Sequence, residues 1–70
     1  AGGASLMSLY PVKAQRLSIG SHFRLRHRKN EICRLAGFDS VYRIFVAFDA
    51  TGMPFQLKPK TLVLAHKHIA

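Results

Sequence analysis

Along most of this chain apolar and polar residues alternate at the period of two that a β-strand imposes, where successive side chains point to opposite faces. The stretch His22-Phe23-Arg24-Leu25-Arg26-His27-Arg28-Lys29 shows it first. As a strand it puts His22, Arg24, Arg26 and Arg28 on one face, and Phe23, Leu25 and His27 on the other. Asn30 reads as a turn, Glu31 to Leu35 as a second short run, and Gly37 with Asp39-Ser40 as the next break. Val41 to Phe48 is rich in β-branched and aromatic residues and holds no Gly or Pro, which marks the strongest strand. Its alternation predicts Tyr42, Ile44, Val46 and Phe48 in the core, with Val41, Arg43, Phe45 and Ala47 on the other face.

Asp49-Ala50-Thr51-Gly52 has the chemistry of a hairpin turn: an Asx acceptor first, and a glycine able to take positive φ last. Met53 to Leu57 returns as a strand, and Pro54, lacking an N–H, places that strand at an edge or leaves its N–H side unpaired there. Lys58-Pro59-Lys60 is a further turn before a last strand, Thr61 to Ala65. Ahead of all this, Pro11 limits residues 7–20 to a short N-terminal arm or helix, extended toward Gly20, with a strand around Arg16 to Ile19 as the alternative. Residues 1–6 read as an expression scar preceding a native start at Met7. The expected fold is all-β: a small five-stranded barrel over residues 21–70, which removes most strand edges. Its expected core is Phe23, Leu25, Ile32, Leu35, Ile44, Val46, Phe48, Phe55, Leu62 and Leu64.

Composition supports one folded unit. Of 70 residues, 49% are hydrophobic and only 20% charged, too apolar for a disordered basic tail. Charge narrows the partners: 11 Lys and Arg stand against 3 acids, giving +8 and a pI near 10.7. Such a surface attracts nucleic acid first, then an anionic membrane or an acidic protein. No apolar run approaches the roughly 18 residues that span a bilayer, so no membrane partner is expected. Cys33 is single, which excludes an internal disulfide, makes it a small buried hydrophobe and suits a cytoplasmic location. A core this small favours a homo-oligomer.

The candidate chemistry is thin. The acids are Glu31, Asp39 and Asp49, and the two aspartates fall where turns want an acceptor. No carboxylate pair, Gly-x-Ser-x-Gly elbow or phosphate-cradling glycine loop occurs, so neither an enzyme nor a cofactor is expected. A site assembled between subunits is a remote alternative. His66 and His68 share a strand face and can chelate, but two imidazoles do not make a specific metal site. What remains is basic: His22, Arg24, Arg26, Arg28, Lys29, Arg34, Arg43, Lys67 and His68 are the candidate nucleic-acid contacts. Arginine predominates among them, and its planar fork matches phosphate oxygens and stacks on rings. Phe45 and Tyr10 are candidate stacking platforms, with burial in an oligomer interface the equal alternative for Phe45; stacking favours RNA or a single strand over duplex. The alternative is an assembly subunit docking an acidic partner in a larger complex.

These features resemble the SH3-like and Sm-like small barrels, and among them the bacterial Sm-like RNA chaperones, the Hfq family. The matching residues are Leu25-Arg26-His27-Arg28-Lys29 ahead of Ile32-Cys33-Arg34-Leu35-Ala36-Gly37, then Val41 to Phe48 followed by Asp49, and Lys67-His68 after the last strand. The resemblance implies an oligomeric ring that binds RNA, with Lys67 and His68 near its pore and the arginines at its rim. The chain departs from that pattern in reading as strand over His22 to Arg28, where the family has helix. The family's usual strand after the Lys-His pair is also missing, unless the sequence has been cut short.

Overall fold

A computed structural model describes residues 7–68, with side-chain surroundings for residues 9–66; the scar expected at residues 1–6 lies outside them. Six strands follow in order: β1 (Met7–Lys13), β2 (His22–Leu25), β3 (Arg28–Asp39), β4 (Ile44–Phe48), β5 (Pro54–Leu57) and β6 (Leu62–His68). They form one antiparallel sheet ordered β1-β6-β2-β3-β4-β5. The all-β expectation holds, but there are six strands rather than five.

The sixth comes from the segment expected as an arm or short helix. Residues 7–13 pair with the whole of β6, from Met7 opposite His68 to Lys13 opposite Leu62. Pro11 is tolerated because β1 is an edge strand, where one row of N–H groups needs no partner. A 3-10 turn (Ala14–Arg16) follows and is pinned to the β5–β6 turn, where Ala14 N donates to Thr61 O and Gln15 N to Pro59 O, both at 2.9 Å.

The sheet is strongly curled. In a flat sheet β2 and β5 would lie three strand spacings apart, roughly 14 Å. Yet the Phe23 and Phe55 rings meet edge to face at 6.4 Å between centroids. The concave face holds the core, whose buried members are Ala14, Phe23, Cys33, Leu35, Phe45, Ala47, Leu57 and Val63, with Ala65 buried beside them. Large and small residues alternate across the strands: Ala65, Phe23 and Cys33 make one lateral row, and Leu35, Ala47 and Phe55 another. That alternation lets a curled sheet fill its own concavity.

This core inverts the expected faces of two strands. On β4 the buried residues are Phe45 and Ala47, while Ile44, Val46 and Phe48 are only half-buried on the outer face. Tyr42, expected inside, is 77% exposed. On β6 the buried residues are Val63 and Ala65, not Leu62 and Leu64. Ile32 is likewise exposed at 45%, because Cys33 and Leu35 take the inner positions of β3. Phe23 and Leu35 are core as expected, and Leu25 and Phe55 pack against it half-buried.

Turn chemistry held where polar residues carry it. Asp49 Oδ1 accepts from Thr51 N at 2.9 Å, Thr51 Oγ1 at 2.6 Å and Met53 N at 3.0 Å, and Gly52 takes φ +88°. Pro54 does start an edge strand. Asn30, by contrast, lies inside β3, and Gly37 is no break but part of a bulge where β3 slips register between Leu35 and Gly37.

Candidate nucleic-acid interface

The basic row at the start of the domain is a hairpin rather than one strand. Leu25 pairs with Arg28, so Arg26 and His27 form a two-residue turn between β2 and β3. Arg24, Arg26 and Arg28 therefore do not share a face at strand period. Arg26, His27, Arg28 and Lys29 are all exposed, gathered at the hairpin tip. They line a shallow depression of about 510 Å³ with Asn30 and Glu31. Glu31 sits 3.6 Å from Arg28 across an exposed ion pair, so Arg28 is partly neutralised while Arg26 and Lys29 are not.

Arg24 has a different role. The register places it alone opposite residues 29–32 of β3, in a wide irregularity of the ladder. Its guanidinium spans the gap: Nη1 donates to the Lys29 carbonyl at 2.7 Å and Nε to His66 Nε2 at 3.1 Å. A backbone carbonyl that the ladder cannot pair is thus satisfied by a side chain. Arg24 is half-buried and engaged by these two hydrogen bonds, not displayed as the free cation expected from the alternation.

A second set lies on the outer face. His22 pairs with Arg34, Arg34 with Phe48, and Phe48 with Pro54, which makes one lateral row over β2 to β5. The Arg34 guanidinium stands over the Phe48 ring, 5.6 Å from its centroid, in a cation–π contact. A depression of about 440 Å³ opens here, bounded by His22, Ile32, Arg34, Phe48 and the Asp49–Gly52 turn.

The remaining expected contacts are dispersed. Arg43 occupies the β3–β4 turn at φ +54°, a strained conformation for a residue with a side chain, at the far end of β3 from the hairpin tip. Lys67 and His68 pair through their backbones with Ser8 and Met7, and their side chains lie outside the described residues. Of the expected platforms, Phe45 is 9% exposed and packs against Phe38, so it offers no stacking surface. Tyr10 is partly exposed on the β1 edge. Phe48 was missed as a surface ring. The signal for it was Arg34, since a basic residue on β3 marks the outer face for whatever pairs with it.

Two titrating groups are perturbed. Burial pushes the Cys33 thiol up, with Glu31 and Asp49 adding to it, so Cys33 is an inert core residue rather than a nucleophile. The hydrogen bonds from Thr51 and Met53 hold the Asp49 carboxyl below its usual range. Among the described residues, no three His, Cys, Asp or Glu side chains gather as metal ligands. Nor is any helix there long and apolar enough to cross a membrane. No protein-family model, curated protein or solved structure matches this chain.

Proposed function

We propose that this protein is a non-enzymatic nucleic-acid-binding domain that takes RNA or another single strand by its phosphates. The observation that carries the reading is the β2–β3 hairpin tip, where Arg26, His27, Arg28 and Lys29 stand exposed together with Glu31 as the one nearby acid. A tip of this kind presents several cations to consecutive phosphates and extends, through β3, to Arg34 and His22 on the outer face. The net charge of +8 supports the same partner over a small neutral ligand. Within this reading Arg24 positions the hairpin by holding Lys29, and Arg43 lies apart from the binding track. Closure of the curled sheet into a small barrel of the SH3-like or Sm-like kind, a homo-oligomeric state and a cytoplasmic location complete it. They are supported by the contact between the 3-10 turn and the β5–β6 turn, by the small core and by the free buried thiol.

Fluorescence anisotropy with labelled single-stranded RNA, single-stranded DNA and duplex DNA tests the reading. Binding at low salt, tighter for the single strands, is expected, and no binding to any of them would overturn it. A second reading rests on another surface. Val41 and Tyr42, 81% and 77% exposed, project from the β3–β4 turn beside the partly exposed Phe38. Asp39 Oδ1 holds that turn through Val41 N at 2.9 Å and Tyr42 N at 3.3 Å. A rigid apolar tip suits an anchor for a protein partner, and failure of all nucleic-acid binding would favour it.

A further inference from the structure

We infer that the outer-face depression at Arg34 and Phe48 is a docking site for one unstacked nucleobase, an inference that rests on the nucleic-acid reading and adds a second kind of contact to it. Three observations on the same few residues carry it. First, the guanidinium of Arg34 lies over the half-buried Phe48 ring, 5.6 Å from its centroid, so a planar cation and an aromatic ring are placed together. A guanidinium set beside a ring offers a base both a π-face and a positive charge, which a lysine does not. Second, exposed Ile32 and exposed His22 flank the same depression from β3 and β2, giving an apolar wall on one side and an imidazole on the other. An exposed isoleucine beside Arg34 adds nothing to phosphate binding but suits the edge of a heterocycle. Third, the space of about 440 Å³ lies in the size range of small-molecule sites and is open to solvent, as a base swung out of a strand requires.

The neighbourhood is also selective. Asp49 closes the rim with a carboxylate whose Oδ1 is committed to the turn, so the site carries one positive and one negative charge. That balance makes it a poor phosphate site and leaves phosphate binding to the hairpin tip. Both lie along β3. From Arg28 to Arg34 the strand rises at about 3.3 Å per residue, on the order of 20 Å, so a strand of several nucleotides is needed to reach both.

The experiment separates base stacking from charge. Arg34→Lys keeps the cation and loses the plane; it is an exposed position, so folding is not at risk. Its binding is compared with the unchanged protein on two single-stranded DNA oligomers, one with bases and one abasic throughout. Binding to the base-containing oligomer should weaken roughly tenfold, its salt slope should stay the same, and the abasic oligomer should bind both proteins alike. Phe48→Leu, which keeps an apolar support but no ring, should move in the same direction. Equal binding of the base-containing oligomer by Arg34→Lys and the unchanged protein would overturn the base site while leaving the phosphate reading intact. An equal loss on both oligomers would overturn it too, making Arg34 a phosphate contact. Absence of binding by the unchanged protein would overturn both readings.

Discussion

Arg24 donates from Nε to Nε2 of His66, 3.1 Å away, tying β2 to the end of β6 through two side chains. The bond requires an unprotonated nitrogen on His66, because an arginine can only donate. With its second contact to the Lys29 carbonyl, Arg24 is the strut of the hairpin that carries the exposed cations. Replacing it should therefore resemble a structural lesion. Arg24→Ala is expected to cost about 1.5–3 kcal/mol, the range for hydrogen bonds to a charged group. Arg26→Ala at the exposed turn should stay within about 0.5 kcal/mol. Urea unfolding midpoints of the two variants check the contrast.

The inner faces assigned to β3 and β6 are tested by paired core substitutions. Leu35→Ala should cost about 2–5 kcal/mol, enough to unfold much of so small a domain. Ile32→Ala, three residues away on the outer face, should cost well under half of that. The same ordering is expected for Val63→Ala against Leu62→Ala. Thermal unfolding followed by circular dichroism would show whether Ile32 and Leu62 belong to the core after all.

The strands after Gly20 were largely legible in the sequence, whereas β1 and the faces of β4 and β6 were not. Val41 to Phe48 is apolar at both parities, so Arg43 was the single polar marker from which to count faces. Arg43, however, sits in the turn at positive φ, out of register with the strand that begins at Ile44. Counting from it placed Phe45 outside. On β6, Leu62 to Ala65 offers no polar marker at all, and packing decided: Ala65 is small enough to lie beside Phe23 on the inner face. The Arg26-His27 turn escaped notice for a related reason. Among the described residues Arg43 is the non-glycine residue with positive φ, so Arg26 and His27 turn the chain without the left-handed region that Gly, Asn or Asp would advertise. The basic residues of the candidate site were readable by composition, but their grouping depended on that turn. Phe48 became visible only once Arg34 was paired with it.

Asp49 supplies a pH dependence with a defined sign. Its folded-state pKa is depressed, so its contribution is present above the unfolded value of about 3.9 and is lost as pH falls through the lower folded value. Asp49→Asn keeps an acceptor at the turn and removes the titration. In this variant the fall in stability below about pH 4 should be shallower than in the unchanged protein, as read from denaturation midpoints across the acid range. Parallel curves would mean that the turn hydrogen bonds do not couple to folding.

Cys33 gives an internal reporter. Being fully buried with a raised pKa, it should react with a thiol reagent such as iodoacetamide only when the domain opens. The labelling rate should rise with urea in step with unfolding, and should rise at zero denaturant in Leu35→Ala. Fast labelling of the unchanged protein in water would contradict the placement of β3.

The most direct measurement of the binding account is the salt dependence of affinity for a single-stranded RNA, compared between the unchanged protein and Arg26→Ala/Arg28→Ala/Lys29→Ala. On a single strand each phosphate contact contributes a slope of about −0.7 in log K against log salt. The triple variant should bind more weakly at low salt, and its slope should be shallower by about 1.5 to 2, with the fold intact by circular dichroism. An unchanged slope in the variant, or binding by the parent that does not respond to salt, would contradict the hairpin tip as the phosphate-binding element.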